Sequence, residues 1–133
     1  AIPAETDIVQ GRVVVGTVEG DMHDIGKTIV VALLRANGFD VLDLGRDVAI
    51  GRFIDAAEKF GANIIGSSTL LTTTMGVQKD LEEELNKQGL RQKYQTVVGG
   101  APVTQRWADR IGADAYAQDA NDGVKKIKAL LAG

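Results

Sequence analysis

Val13-Val14-Val15-Gly16-Thr17-Val18-Glu19-Gly20-Asp21-Met22-His23-Asp24-Ile25-Gly26-Lys27-Thr28 is the stretch around which the rest of the chain is read. It opens on β-branched residues in near-continuous succession, the pattern of a strand buried on both faces. A short polar loop, Glu19 to Asp24, ends that run. Ile25, Ile29, Ala32 and Leu33 then recur at helical spacing until Asn37-Gly38 supplies a stop. The spacing predicts a strand over 12–18 and a helix over 25–37. The loop between them holds the only histidine of the chain, His23, flanked by Asp21 and Gly26.

The same unit recurs to the C-terminus. Further strands are predicted over 39–44, 63–68, 95–98 and 115–117, and helices over 50–60, 76–88, 104–111 and 120–131, with Gly61 and Gly89 as stops. Short apolar strands alternating with helices imply a parallel sheet covered on both faces. The expected fold is therefore α/β, a Rossmann-like (flavodoxin-like), doubly wound sheet of five parallel strands. Residues 1–10, apolar and acidic by turns with Pro3 and no period, read as a lead-in to a single domain spanning 1–133.

Composition narrows the function classes. A chain of 133 residues buries a core without staples, and the absence of cysteine excludes disulfides, thiolate metal sites and a catalytic thiol. Eighteen Asp and Glu stand against 15 Lys and Arg with no basic stripe on any predicted helix, which argues against nucleic acid as a partner. No apolar run approaches the roughly 20 residues of a membrane span, and no signal peptide is expected ahead of the fold. A cytoplasmic protein with no membrane partner is expected. The chain opens on Ala1 rather than Met, as a processed or excised piece of something longer would.

Ligands of open α/β sheets bind beyond the carboxyl ends of the strands, at the switch in strand order. The segments there are Glu19 to Asp24 after the first strand, Ser68 to Thr74 after the third and Gly99-Gly100 after the fourth. Singly, each has a purely structural reading. His23 fits a surface or helix-start residue, and Asp24 a helix cap. Ser68 and Thr72-Thr73-Thr74 fit a helix-entry loop, and Gly99-Gly100 a tight turn. Gly26-Lys27-Thr28 resembles the end of a phosphate-binding loop, but that pattern needs glycine where Asp21 stands, and Asp21 and Asp24 would repel a triphosphate.

Together, Asp21-x-His23-x-x-Gly26, Ser68-x-Leu70 and Gly99-Gly100, at these separations, resemble the cobalamin-binding domain. That domain is shared by corrinoid methyl-transfer proteins, cobalamin-dependent methionine synthase and the adenosylcobalamin mutases. The resemblance covers essentially the whole chain. The spelling Ser68-Thr69-Leu70-Leu71-Thr72-Thr73-Thr74-Met75 and the tail Gly112 to Ala120 are most similar to the small corrinoid subunits of methanol, methylamine and methoxyaromatic methyltransferases.

The resemblance implies a function and a ligand set. The cofactor would be cobalamin, as methylcobalamin or a related corrinoid, carrying a methyl group on cobalt between a donor-specific and an acceptor-specific methyltransferase. A reductive activase is a further implied partner. His23 would be the lower cobalt ligand in place of the cofactor's own benzimidazole, with Asp21 on the other ring nitrogen and Thr74 behind that carboxylate. Ser68, Thr72 and Leu70 would line a slot for the displaced nucleotide tail. Gly26, Gly99 and Gly100 would leave room for that tail, with Asp24 and Ile25 beside Gly26. Tyr116, Ala117 and Asp119 would lie near the slot mouth. The methyl carriers have a helical cap upstream, whereas only the lead-in precedes the first strand in these residues, so the expectation is that the cap was removed or that the protein works without it. Two other implied functions are the small subunit of an adenosylcobalamin-dependent carbon-skeleton mutase and a cobalamin-binding regulatory module.

Overall fold

Five strands and five α-helices alternate along residues 10–132, the part of the chain that the structure, a computed structural model, describes. The predicted lead-in falls almost wholly outside these residues. In chain order the elements are β1 (Arg12–Val18), α1 (Ile25–Ala36), β2 (Asp40–Val48), α2 (Ile50–Phe60) and β3 (Ile64–Ser68). A single 3-10 turn (Thr72–Thr74) then leads into α3 (Met75–Lys87), followed by β4 (Gln95–Gly99), α4 (Gln105–Ile111), β5 (Ala115–Ala117) and α5 (Ala120–Ala132).

All strands are parallel and lie in the order β2-β1-β3-β4-β5. β1 is therefore interior, paired on both sides, and this is why its sequence is apolar without alternation. Val13 and Val15 pack under α1 and α5 with Val31, Leu34, Ile64, Val97 and Ile127. Val14 faces the opposite layer, with Phe53, Ile54 and Ala57 of α2 and Leu81 and Leu85 of α3. Each Val, Leu, Ile or Phe among them contributes about 1.5–3 kcal/mol by leaving water. α4 extends the second layer, packing Ala108 against Val98 and Val103. The chain leaves β1 towards β2 on one side and returns past it to β3 on the other, so the switch in strand order falls at the carboxyl ends of β1 and β3.

Most helices and strands lie within a residue of their predicted bounds. The exception is β2, expected to stop at Leu44 and observed to run to Val48. Its pairing with β1 slips twice, between Val15 and Gly16 and again between Gly16 and Val18, and its last residues carry the positive φ angles of Gly45 (87°) and Asp47 (54°). Gly45-Arg46-Asp47 has loop composition, and the strand continues through it only because bulges absorb the extra residues. No helix among the described residues is long and apolar enough to cross a membrane.

Candidate functional site

The loop from Glu19 to Asp24 is folded around the carboxylate of Asp21, which is fully buried although the residue has an ionisable side chain. Oδ1 accepts the backbone N–H of His23 at 3.0 Å and lies 2.7 Å from Nδ1 of the same residue. Oδ2 accepts the backbone N–H of Leu70 at 2.6 Å, and the Thr69 hydroxyl reaches it at 3.4 Å. Burial alone would raise the Asp21 pKa. The hydrogen bonds from Leu70 and from the His23 backbone and ring outweigh it and hold the carboxyl below its ordinary value.

Asp21 thus fixes the tautomer of His23. A carboxylate only accepts, so Nδ1 carries the proton between them, and in the neutral imidazole the lone pair is then on Nε2. The His23 side chain is 55% exposed and lines the cleft described below. A histidine oriented in this way by a carboxylate is the usual form of an imidazole metal ligand.

The lowered pKa has a testable consequence. Unfolded Asp21 takes up a proton near pH 4, whereas the folded carboxyl resists protonation to lower pH. The stability it contributes is present above that value and is lost as pH falls through the folded pKa. In urea titrations between pH 6 and pH 3, wild type is expected to lose its advantage over Asp21→Asn below about pH 4; a constant difference would contradict the assignment.

Beside His23 a cleft of about 280 Å³ opens at the carboxyl edge of the sheet. Val15, Gly66 and Val97 are consecutive partners across β1, β3 and β4 and form its floor. Val30 of α1 and Ile127 of α5 line its sides. A Cβ on Gly66 would meet only ordinary contacts, Val15 Cγ2 at 3.7 Å being the nearest, so the scaffold tolerates a side chain there. The missing side chain leaves space in the cleft itself. Lys27 also lines it, with its ammonium held 2.8 Å and 2.9 Å from the two carboxylate oxygens of Asp43.

The structure brings most of the expected residues together. His23, Gly26, Ser68, Leu70, Gly99, Gly100, Tyr116, Ala117 and Asp119 all line the cleft, while Asp21 stands behind His23. Asp119 also accepts the backbone N–H of Asp122 at 2.8 Å, which starts α5. Asp24, Ile25 and Thr72 do not line the cleft; Ile25 is 75% exposed, and Asp24 precedes α1 without capping it through its side chain. The Thr74 hydroxyl bonds to that of Thr69 and reaches Asp21 only through it.

Thr69 and Gly66 were not singled out from the sequence. Thr69 sits between two residues of the Ser68-x-Leu70 motif, and only the fold turns its hydroxyl to Asp21. Gly100 has a tighter role than leaving room. At φ 121°, a Cβ there would come within 1.7 Å of the Thr69 carbonyl oxygen. Only glycine allows the β4 loop to press on the segment that supports Asp21.

The residues suit a metal held by a macrocycle better than a free ion. No group of three or more His, Cys, Asp or Glu side chains that could hold an ion lies among the described residues. One oriented imidazole beside a deep apolar slot suits a metal whose remaining donors come from a large organic ligand.

Comparison with known proteins agrees. Residues 11–125 match the family model of the B12 binding domain. Dimethylamine corrinoid protein 1 of Methanosarcina mazei is 51% identical over 133 residues, 99% of this chain and 62% of the relative. The chain thus spans less than two thirds of that protein's length. The monomethylamine corrinoid protein of Methanosarcina barkeri has a TM-score of 0.86 and 37% identity, covering 97% of this chain and 63% of that one. The methanol:cobalamin methyltransferase complex MtaBC of the same organism gives 0.89 and 39%, covering 95% and 48%. Family model, sequence relatives and fold converge, and the chain belongs to the B12-binding domain family.

Proposed function

We propose that the protein holds a cobalamin or related corrinoid with His23 as the lower cobalt ligand, the cofactor's own base being displaced into the cleft. In this reading it carries a methyl group between two methyltransferases, in the cytoplasm. One takes the group from a small donor of the methylamine class and the other delivers it to an acceptor, with a reductive activase as a further partner. The observation that carries the reading is the 2.7 Å contact between Asp21 and His23 Nδ1, which leaves Nε2 free beside an apolar slot. The methylamine assignment rests on the dimethylamine relative, half identical to this chain.

The bound corrinoid supplies the cobalt–carbon bond on which a methyl group travels. Protein side chains do the rest. His23 binds through Nε2, and Asp21 holds the ring proton on Nδ1 and raises the basicity of the ligand. Leu70 N–H and Thr69 keep Asp21 ionised and fixed. Ser68 and Tyr116 border the slot, while Gly26, Gly66, Gly99 and Gly100 let the nucleotide tail approach the backbone.

The test is reconstitution with methylcobalamin. Wild type is expected to give the absorption spectrum of a histidine-ligated corrinoid, and His23→Ala to bind at least ~10-fold more weakly and lose that spectrum. Benzimidazole ligation in both proteins would contradict the proposal.

A further inference from the structure

The doubly bulged end of β2 does more than close the sheet. Past Asp43 the strand gains one residue on β1 at each slip, and the extra length carries Arg46 and Asp47 across the start of the ligand loop. Three hydrogen bonds result, to three successive loop residues. The Asp47 carboxylate accepts the Gly20 N–H at 2.8 Å, the Asp47 N–H donates to the Asp21 carbonyl at 3.0 Å, and Arg46 Nη1 donates to the Met22 carbonyl at 3.3 Å. The next residue is His23.

Asp47 reaches this position at a conformational cost. Its φ of 54° makes it the one non-glycine residue in the left-handed region among the described residues. Asp and Asn enter that region more readily than other side chains, but it remains uncommon even for them, and such outliers cluster where function requires a set geometry. Bulges beside sites likewise serve to re-aim side chains. The loop is gripped from two sides: Leu70 and Thr69 hold the Asp21 carboxylate, and β2 holds the backbone on which Asp21 and His23 are mounted.

We propose that Asp47 is a positioning residue for the cobalt ligand, setting the loop so that His23 presents Nε2 before the cofactor arrives. The proposal rests on the reading of His23 given above and adds to it the element that aims the imidazole. Asp47 does not line the cleft; it acts through Gly20 and Asp21. An imidazole preset in this way binds without first ordering its loop, which is the general advantage of preorganisation.

Three proteins test it: wild type, Asp47→Gly and Asp47→Asn, each titrated with methylcobalamin and followed by absorption spectrum and by the melting temperature of the cofactor-free form. Asp47→Gly keeps the left-handed backbone and removes the acceptor. Asp47→Asn keeps both, because its amide oxygen accepts the Gly20 N–H. Asp47→Gly is expected to melt close to wild type yet bind about 10-fold or more weakly with a reduced histidine-ligated fraction, and Asp47→Asn to restore both to within about threefold. Asp47→Gly binding like wild type would overturn the proposal, as would Asp47→Asn failing like Asp47→Gly. If Asp47→Gly does not fold while Asp47→Asn does, Asp47 is a scaffold residue and the positioning role falls. Benzimidazole ligation, or no binding, in wild type would overturn the His23 reading and this proposal with it.

Discussion

Gly66→Val is expected to fold as well as wild type and to bind methylcobalamin about 10- to 100-fold more weakly. Gly66 lies in β3 between Val15 and Val97, and its added Cβ would meet Val15 and the Val14 carbonyl at 3.7–4.0 Å, ordinary contact distances. A β-branched residue also suits a strand interior better than glycine, so stability should hold or rise by up to about 1 kcal/mol. Beyond Cβ, however, the side chain enters the cleft floor. Overfilling a packed space costs about 1–3 kcal/mol, and about 1.4 kcal/mol is tenfold in affinity. Methylcobinamide, which lacks the nucleotide tail, is the control. Its affinity should change by no more than about threefold, because only the tail competes for that floor. Equal losses for both ligands would mean that the substitution disturbs the loop of His23 and that the slot is not where the tail goes.

Arg91→Met should produce the largest loss of stability, about 3–5 kcal/mol, with ligand binding by the folded fraction unchanged. Arg91 lies in the α3–β4 connection, away from the cleft lining. Its guanidinium bonds to Glu82 at 2.7 Å, to the Tyr94 and Gly112 carbonyls at 2.9 and 2.7 Å, and to Asp114 at 3.0 Å. One side chain thereby ties α3 to the start of β4 and to the turn that leads into β5. Glu82 is 2% exposed, and removing its cation strands a carboxylate in the core.

Burial raises the Glu82 pKa even with Thr96 and Arg91 opposing it. Without Arg91 the carboxyl escapes by protonation, so the deficit of Arg91→Met should narrow on acidification. For a chain of this size the loss corresponds to a fall of roughly 10–25 °C in melting temperature. Adding Glu82→Gln should recover part of it. A melting temperature within a few degrees of wild type would show that the network is dispensable.

The fold was largely legible because an interior parallel strand leaves an unmistakable trace. The unbroken apolar run through Val13, Val14 and Val15 is the mark of a strand buried on both faces, and the glycine stops after the helices are local chemistry. β2 was legible only to Leu44. An edge strand that bulges through Gly45-Arg46-Asp47 obeys pairing to β1 rather than its own composition, and that pairing is not a local property. The same divide runs through the site. Asp21, His23 and the glycines stand in one-dimensional motifs, so the resemblance to the cobalamin-binding domain exposes them. Gly66, Thr69 and Asp47 acquire their roles from register and from backbone segments far apart in sequence: Gly66 from its row with Val15 and Val97, Thr69 from the approach of Gly100, and Asp47 from the slip against β1. Thr74 shows the limit of motif reading. Its hydroxyl does stand behind Asp21, but Thr69 lies between them.

Because His23 is the only histidine, the central claim reduces to one isotope. The chain would be produced with ¹⁵N-labelled histidine, loaded with unlabelled cobalamin, reduced to cobalt(II) and measured by electron paramagnetic resonance. If His23 is the lower ligand, the nitrogen splitting of each cobalt line changes from the triplet of ¹⁴N to the doublet of ¹⁵N. A triplet that survives labelling would place the cofactor's own base on cobalt and contradict the assignment.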